Sequence, residues 1–126
     1  MAIHYLTDEE EQAIKQSIPW DSIDAKIRGS VRLANEVEGI ATLQSCAGHV
    51  HPLEDGGFSV DAALIAFRAT KERTLQILFD AAPRAGILDA SLRFFGDGTF
   101  WICVECEPPE RWRLYDLFKE LLECST

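Results

Sequence analysis

ILDASLRFF (Ile87–Phe95), GDG (Gly96–Gly98) and TFWICVEC (Thr99–Cys106) read as strand, turn and strand. Glycine on either side of Asp97 supplies the positive φ that a tight hairpin needs. Alternation sorts both arms. Leu88, Ala90, Leu92, Phe94, Phe100, Ile102 and Val104 point one way, and Asp89, Ser91, Arg93, Trp101, Cys103 and Glu105 the other. A hairpin with one apolar face must lay that face on a second layer. Two flanking segments supply it. Downstream, Pro108-Pro109 opens a helix where a missing N–H costs nothing. Its stripe is Leu114, Leu117, Phe118, Leu121 and Leu122. Upstream, Thr70 caps a helix carrying Leu75, Leu78, Phe79 and Ala82 at helical spacing, and Pro83 and Gly86 end it.

Further upstream, Phe58 to Arg68 reads as one strand, with Phe58, Val60, Ala62 and Leu64 joining the apolar set and Ser59 and Asp61 the polar one. The centre of this strand, Ala63 to Phe67, is apolar on both faces, as a central strand requires. Ile40 to Ser45 reads as another strand. A helix from Asp21 to Glu38 precedes it, with Ile23, Ile27, Val31, Ala34 and Val37 on one face and Arg28, Arg32 and Asn35 on the opposite one, which either is solvated or faces the Ser45–His51 loop to bind an acidic ligand. Gly39 stops it. Thr7 and Glu10 form a capping box for a first helix over Asp8 to Ser17, which Pro19 breaks.

The order is α-α-β-β-α-β-β-α. It implies a two-layer α+β fold, a mixed sheet of about four strands with helices on one face. The strand–helix–strand unit around the third helix suits a right-handed parallel crossover. A length of 126 residues points to one domain, residues 1–126. The hydrophobic fraction of 47% and charged fraction of 26% are those of a globular chain and exclude disorder.

A net charge of −9 repels phosphate backbones, so nucleic acid is a disfavoured partner. The longest apolar run, Ala62 to Phe67, is too short to span a bilayer. The first residues lack an apolar signal core. Four cysteines without a disulfide-framework pattern suit a reducing compartment, so the expected location is the cytoplasm. Phosphate-loop, dinucleotide, His-Glu-x-x-His and nucleophile-elbow motifs are absent.

The chemistry concentrates in Ser45-Cys46-Ala47-Gly48-His49-Val50-His51, which holds two of the three histidines and follows a strand. Reactive groups on a loop at a strand end are more often functional than those inside a helix. Cys46 to His49 has the length of a β-turn with Gly48 at the positive-φ position. Such a turn brings thiol and imidazole within exchange distance, making Cys46 and His49 the candidate catalytic pair. Ser45, Gly48 and His51 are the candidate ligand contacts, the turn N–H groups forming an anion nest. Cys46, His49 and His51 are also candidate zinc ligands, completed by Cys103, Cys106 or His4. Cys103 and Cys106, at i and i+3 of a strand, point to opposite faces and read as packing residues. A buried, inert Cys46 is the alternative to a reactive one.

Thr42-Leu43-Gln44-Ser45-Cys46-Ala47-Gly48-His49 resembles the strand-to-loop motif of the wybutosine-synthesis methyltransferases that act on tRNA. That family has a Ser-Cys-x-Gly-Arg core, and here His49 stands in place of its arginine. The stretch is similar as well to small bacterial and phage proteins with Ser-Cys-x-Gly-His. The resemblance implies an α+β fold and S-adenosylmethionine as cofactor. The leading expectation is thus a small α+β protein with a ligand or active site at Ser45–His51, transferase-like and using S-adenosylmethionine. The alternatives are a non-catalytic homodimeric binding or assembly protein and a Cys/His metal-binding domain.

Overall fold

The computed structural model describes residues 4–87 and 89–124; Leu88 and its assignment to the apolar set lie outside the described residues, as do the side chains of Phe58 and Val60. The elements run α1 (Asp8–Gln16), α2 (Ala25–Glu36), β1 (Ile40–Cys46), β2 (His49–Pro52), β3 (Phe58–Asp61), β4 (Ala63–Ala69), α3 (Glu72–Arg84), β5 (Asp89–Phe94), β6 (Phe100–Cys106) and α4 (Trp112–Cys124). Short 3₁₀ turns at Trp20–Ser22 and Pro108–Glu110 precede α2 and α4. The expected α+β class holds.

The main sheet has the order β1-β4-β6-β5, and every neighbouring pair is antiparallel. The sheet is therefore not mixed between neighbours. The crossover is real all the same: β4 and β5 run parallel, joined through α3, with β6 between them. This is a split βαβ arrangement. Because β6 returns from β5 by a hairpin, it fills the gap and turns both contacts antiparallel.

The core lies between one sheet face and α2, α3 and α4. Ala63, Ile65, Phe67 and Ala69 of β4 and Phe100, Ile102, Val104 and Cys106 of β6 are buried there against Leu78, Leu114, Leu117 and Phe118. The Phe67 and Phe118 rings meet edge to face at 5.6 Å, the arrangement their quadrupoles favour. The other face carries Trp101, Cys103 and Glu105 on β6, with Asp89, Ser91 and Arg93 on β5. It is half polar, as the alternation implies.

Several boundaries differ from the sequence reading. Ser45–His51 is not one loop, since Ser45 and Cys46 close β1 and His49–Pro52 forms β2. Pro83 lies inside α3 rather than ending it. Three more differ, each for a local reason. Phe58 to Arg68 is two strands, not one. The chain breaks at Ala62, and β3 leaves to pair with β2 in a separate two-stranded sheet. The alternation restarts at the break, so Ala63, Ile65 and Phe67 enter the core and Leu64 lies on the opposite face. The second helix starts at Ala25, because the Asp24 carboxylate takes the Lys26 N–H at 2.9 Å and caps it there. Thr70 does not cap α3. Its own N–H goes to Gly39 O at 3.0 Å, and Lys71 occupies the cap position without a side-chain bond.

Candidate functional site

β1 is an edge strand of the main sheet, and its free side faces a cleft of about 550 Å3. The inner wall is Thr42 through Ala47, with His49 at the rim. The outer wall is the end of α1, Pro19, Ser22, Ile23 and Asp24. Val31 of α2 contributes to the lining. A volume of this order suits a small-molecule ligand.

The outer wall is pinned to α2 by two arginines. Arg28 Nη2 donates to Ile23 O at 2.7 Å. The Arg32 guanidinium lies 5.6 Å from the centroid of the Trp20 ring, a cation–π contact. Asn35 ties α2 to the inner wall. Its side-chain oxygen accepts the Thr42 N–H at 3.1 Å, and its Nδ2 donates to Thr42 Oγ1 and Val31 O, each at 2.8 Å. Of the face expected either to be solvated or to bind an acidic ligand at the loop, Arg32 is exposed, whereas Arg28 and Asn35 are half-buried and act as struts. The side-chain pattern alone could not show this, since three polar residues at helical spacing look the same whether they meet water or a neighbouring backbone.

The 46–49 connection is tightly held. Gly48 has φ +79°, and a Cβ there would lie 2.6 Å from Asp61 O and 2.7 Å from Pro108 Cγ. Arg111, just before α4, donates from Nε to Ala47 O and from Nη2 to Gly48 O. The Gly48 N–H is directed at Cys46 Sγ, 3.4 Å away. That donor is spent inside the connection, so the expected anion nest does not form from it. Arg111 was invisible to motif reading because it lies more than sixty residues away in the chain.

Of the expected catalytic pair, both members line the cleft, but among the described residues no hydrogen bond joins Cys46 to His49. His49 and Asp61 are cross-strand partners on the β2–β3 hairpin. His51 Nε2 lies 2.8 Å from Asp61 Oδ2, and the two imidazole centroids are 5.7 Å apart. His51 is thus committed to an exposed pair on the hairpin, while Ser45, Cys46 and His49 front the cleft.

Cys46, His49 and His51 do not converge as a zinc set. Among the described residues no group of three or more His, Cys, Asp and Glu is placed to hold a metal ion. Cys103 and Cys106 point to opposite faces, as strand geometry requires. Cys106 is buried, with Sγ 3.4 Å from Glu110 O. Burial, followed by the Glu110 charge, raises its pKa. Burial, reinforced by Glu105, pushes the Cys103 thiol up to about 11.

Fold and cleft together define a small α+β domain with an open antiparallel sheet and a ligand-sized cleft along one sheet edge. No protein-family model and no curated protein matches the sequence. Solved structures with the same fold do exist. The chain is similar to the PH1069 protein of Pyrococcus horikoshii at a TM-score of 0.61 and 11% identity, covering 91% of this chain and 89% of that one. A structure of PH1069 from strain OT3 gives 0.62 and 11%, covering 98% and 96%. A hypothetical protein from Aeropyrum pernix gives 0.60 and 14%, covering 79% and 98%. At these identities the likeness is one of fold. Among the described residues no helix is long and apolar enough to cross a membrane.

Proposed function

We propose that the chain binds a small molecule in the cleft along β1 and acts there as a transferase of the S-adenosylmethionine-using kind. The observation that carries this reading is one cleft wall bearing Ser45, Cys46 and His49, in a cavity of about 550 Å3. The resemblance of Thr42–His49 to the wybutosine-synthesis methyltransferases supports the cofactor class.

The lining suits that cofactor. Ile14, Ile18, Ile23 and Leu43 offer apolar surface for a purine. Asp24 uses one carboxylate oxygen on the Lys26 N–H, which leaves the other for ribose hydroxyls. Among the described residues β1 has no strand neighbour on its outer side, so its backbone there can meet polar ring atoms, apart from the Thr42 N–H that Asn35 holds. When bound, the cofactor supplies a methyl group on a sulfonium. The chain's own part is to orient that group, exclude water, and take the proton of the accepting nucleophile on His49 at the rim. Ser45 and Cys46 shape the wall behind it.

The test is calorimetric titration with S-adenosylmethionine and S-adenosylhomocysteine, paired with alkylation of each cysteine resolved by mass spectrometry. Binding near one equivalent is expected, with slowed labelling of Cys46 and unchanged labelling of Cys103, which shares its sheet face but lies two strands further in. Ser45→Trp, which obstructs the inner wall of the cleft, should abolish both effects. An unaltered Cys46 labelling rate and no heat at ~1 mM ligand, the limit of weak binding, would overturn the cofactor assignment.

A further inference from the structure

The second edge of the main sheet, β5, is free along its outer side among the described residues. Apart from the half-buried Ala90 its residues are exposed, with Leu92 at 39% and Phe94 at 58%. An open edge with apolar side chains is a template for another strand.

The hydrogen-bond parity of this edge is readable. Phe95 donates its N–H to Thr99 O at 2.9 Å, continuing the register in which Phe94 faces Phe100. Opposed residues in an antiparallel ladder alternate between bonded and non-bonded pairs. Asp89, Ser91, Arg93 and Phe95 therefore turn their backbone groups toward β6. Ala90, Leu92 and Phe94 turn theirs outward.

A second copy of β5 docked antiparallel about a two-fold axis must bond outward residues to outward residues. The register centred on Ser91 does this: Ala90 bonds the partner's Leu92, and Leu92 bonds the partner's Ala90. In the same register Asp89 lies opposite the partner's Arg93, and Arg93 opposite the partner's Asp89. Both are non-bonded pairs, where side chains approach closest. Among the described residues neither Asp89 nor Arg93 forms an ion pair. Leu92 also meets the partner's Leu92 on the diagonal. Sliding by two residues either way sets a charge against Ser91 and loses both matched pairs.

We infer that the chain forms a homodimer by edge-to-edge pairing of β5, centred on Ser91, so that one sheet runs through both copies. The charge of −9 on each copy opposes association in general. The two Asp89–Arg93 pairs favour this one register over others.

Sedimentation velocity from about 1 to 500 μM, a range bracketing micromolar affinity, tests the dimer. The wild-type chain should show a monomer–dimer equilibrium. Asp89→Arg or Arg93→Asp alone sets like charges opposite each other twice, and each should weaken dimerisation about tenfold or more. The double variant Asp89→Arg/Arg93→Asp restores both pairs and should recover the dimer. Leu92→Pro removes an outward N–H while sparing the β6 ladder and should leave monomers. Circular dichroism would check that each variant folds, and the charge-reversal series decides the matter if the proline variant does not. A dimer indifferent to both single reversals, or one the double variant fails to recover, would overturn the assignment. So would a wild-type chain monomeric throughout, which would leave the edge to an extended segment of a different protein.

Discussion

Gly48 concentrates the constraints on the site into one residue. Its positive φ is costly for any L side chain, and Asp61, Ala63 and Pro108 all crowd the place a Cβ would take. Gly48→Ala should therefore lose ~3 kcal/mol in urea unfolding, combining backbone strain and overpacking. Gly56→Ala, at φ +90° but with open space around it, should lose only ~1 kcal/mol, the conformational part alone. Cys103 illustrates a different residue-level effect. Its pKa is raised to about 11 from 9.0, first by burial and then by Glu105. The folded state thus resists losing this proton, while the unfolded chain gives it up near 9. Its contribution to stability is complete below pH 9 and is lost as pH rises from 9 toward 11. Stability curves of wild type and Cys103→Val should run parallel below that window and converge within it, the wild type falling faster. At neutral pH Cys103 should also alkylate far more slowly than the exposed Cys124.

At the scale of elements, the junction of α2 with β1 decides the shape of the cleft. Thr42 is buried, and its N–H has Asn35 as partner. Asn35→Ala leaves that N–H and the Thr42 hydroxyl without their partner and should cost roughly 1–3 kcal/mol by thermal or urea unfolding. Asn35→Asp keeps the acceptor for the Thr42 N–H but loses the Nδ2 donor, so it should fall between the two. The same junction marks how far the sequence can be read. Core stripes such as Leu114, Leu117, Phe118 and Leu121, and the alternation of Phe100, Ile102 and Val104, were legible because periodicity reports directly which face meets the core. The break at Ala62 was not, since Ala63 to Phe67 is apolar on both faces and carries no phase. The Ser45–His49 segment was legible as a candidate site from its residue types and place at a strand end. Its supports were not. Asn35, Arg28 and Arg111 act through backbone carbonyls and N–H groups, and backbone partners leave no trace in side-chain pattern. Asp24 was hidden likewise, its capping role displaced from the helix start that Asp21 suggested.

Across the whole molecule, the contacts grade stability from the centre outward. β4 and β6 are the inner strands, each paired on both sides and covered by α3 and α4. The β2–β3 hairpin stands apart from that sheet, with β2 exposed throughout and its His51–Asp61 pair in solvent. A two-stranded ribbon is marginal by itself, and an exposed ion pair adds little. Hydrogen exchange should therefore show β4, β6 and α4 opening only with global unfolding, and β2–β3 opening at far lower free energy. The cleft lies between these extremes. Its inner wall belongs to the main sheet, whereas its outer wall is the α1–α2 connection, held to α2 by Arg28 and Arg32. A ligand spanning the two walls must draw the connection toward the sheet, so protection should rise at residues 17–24 and at His49 and leave β4 and β6 unchanged. A ligand on the open sheet face would instead protect Trp101 and Cys103. Exchange measured with and without S-adenosylmethionine distinguishes the two. Protection confined to the sheet face, with the 17–24 connection unmoved, would remove the cleft from consideration as the binding site.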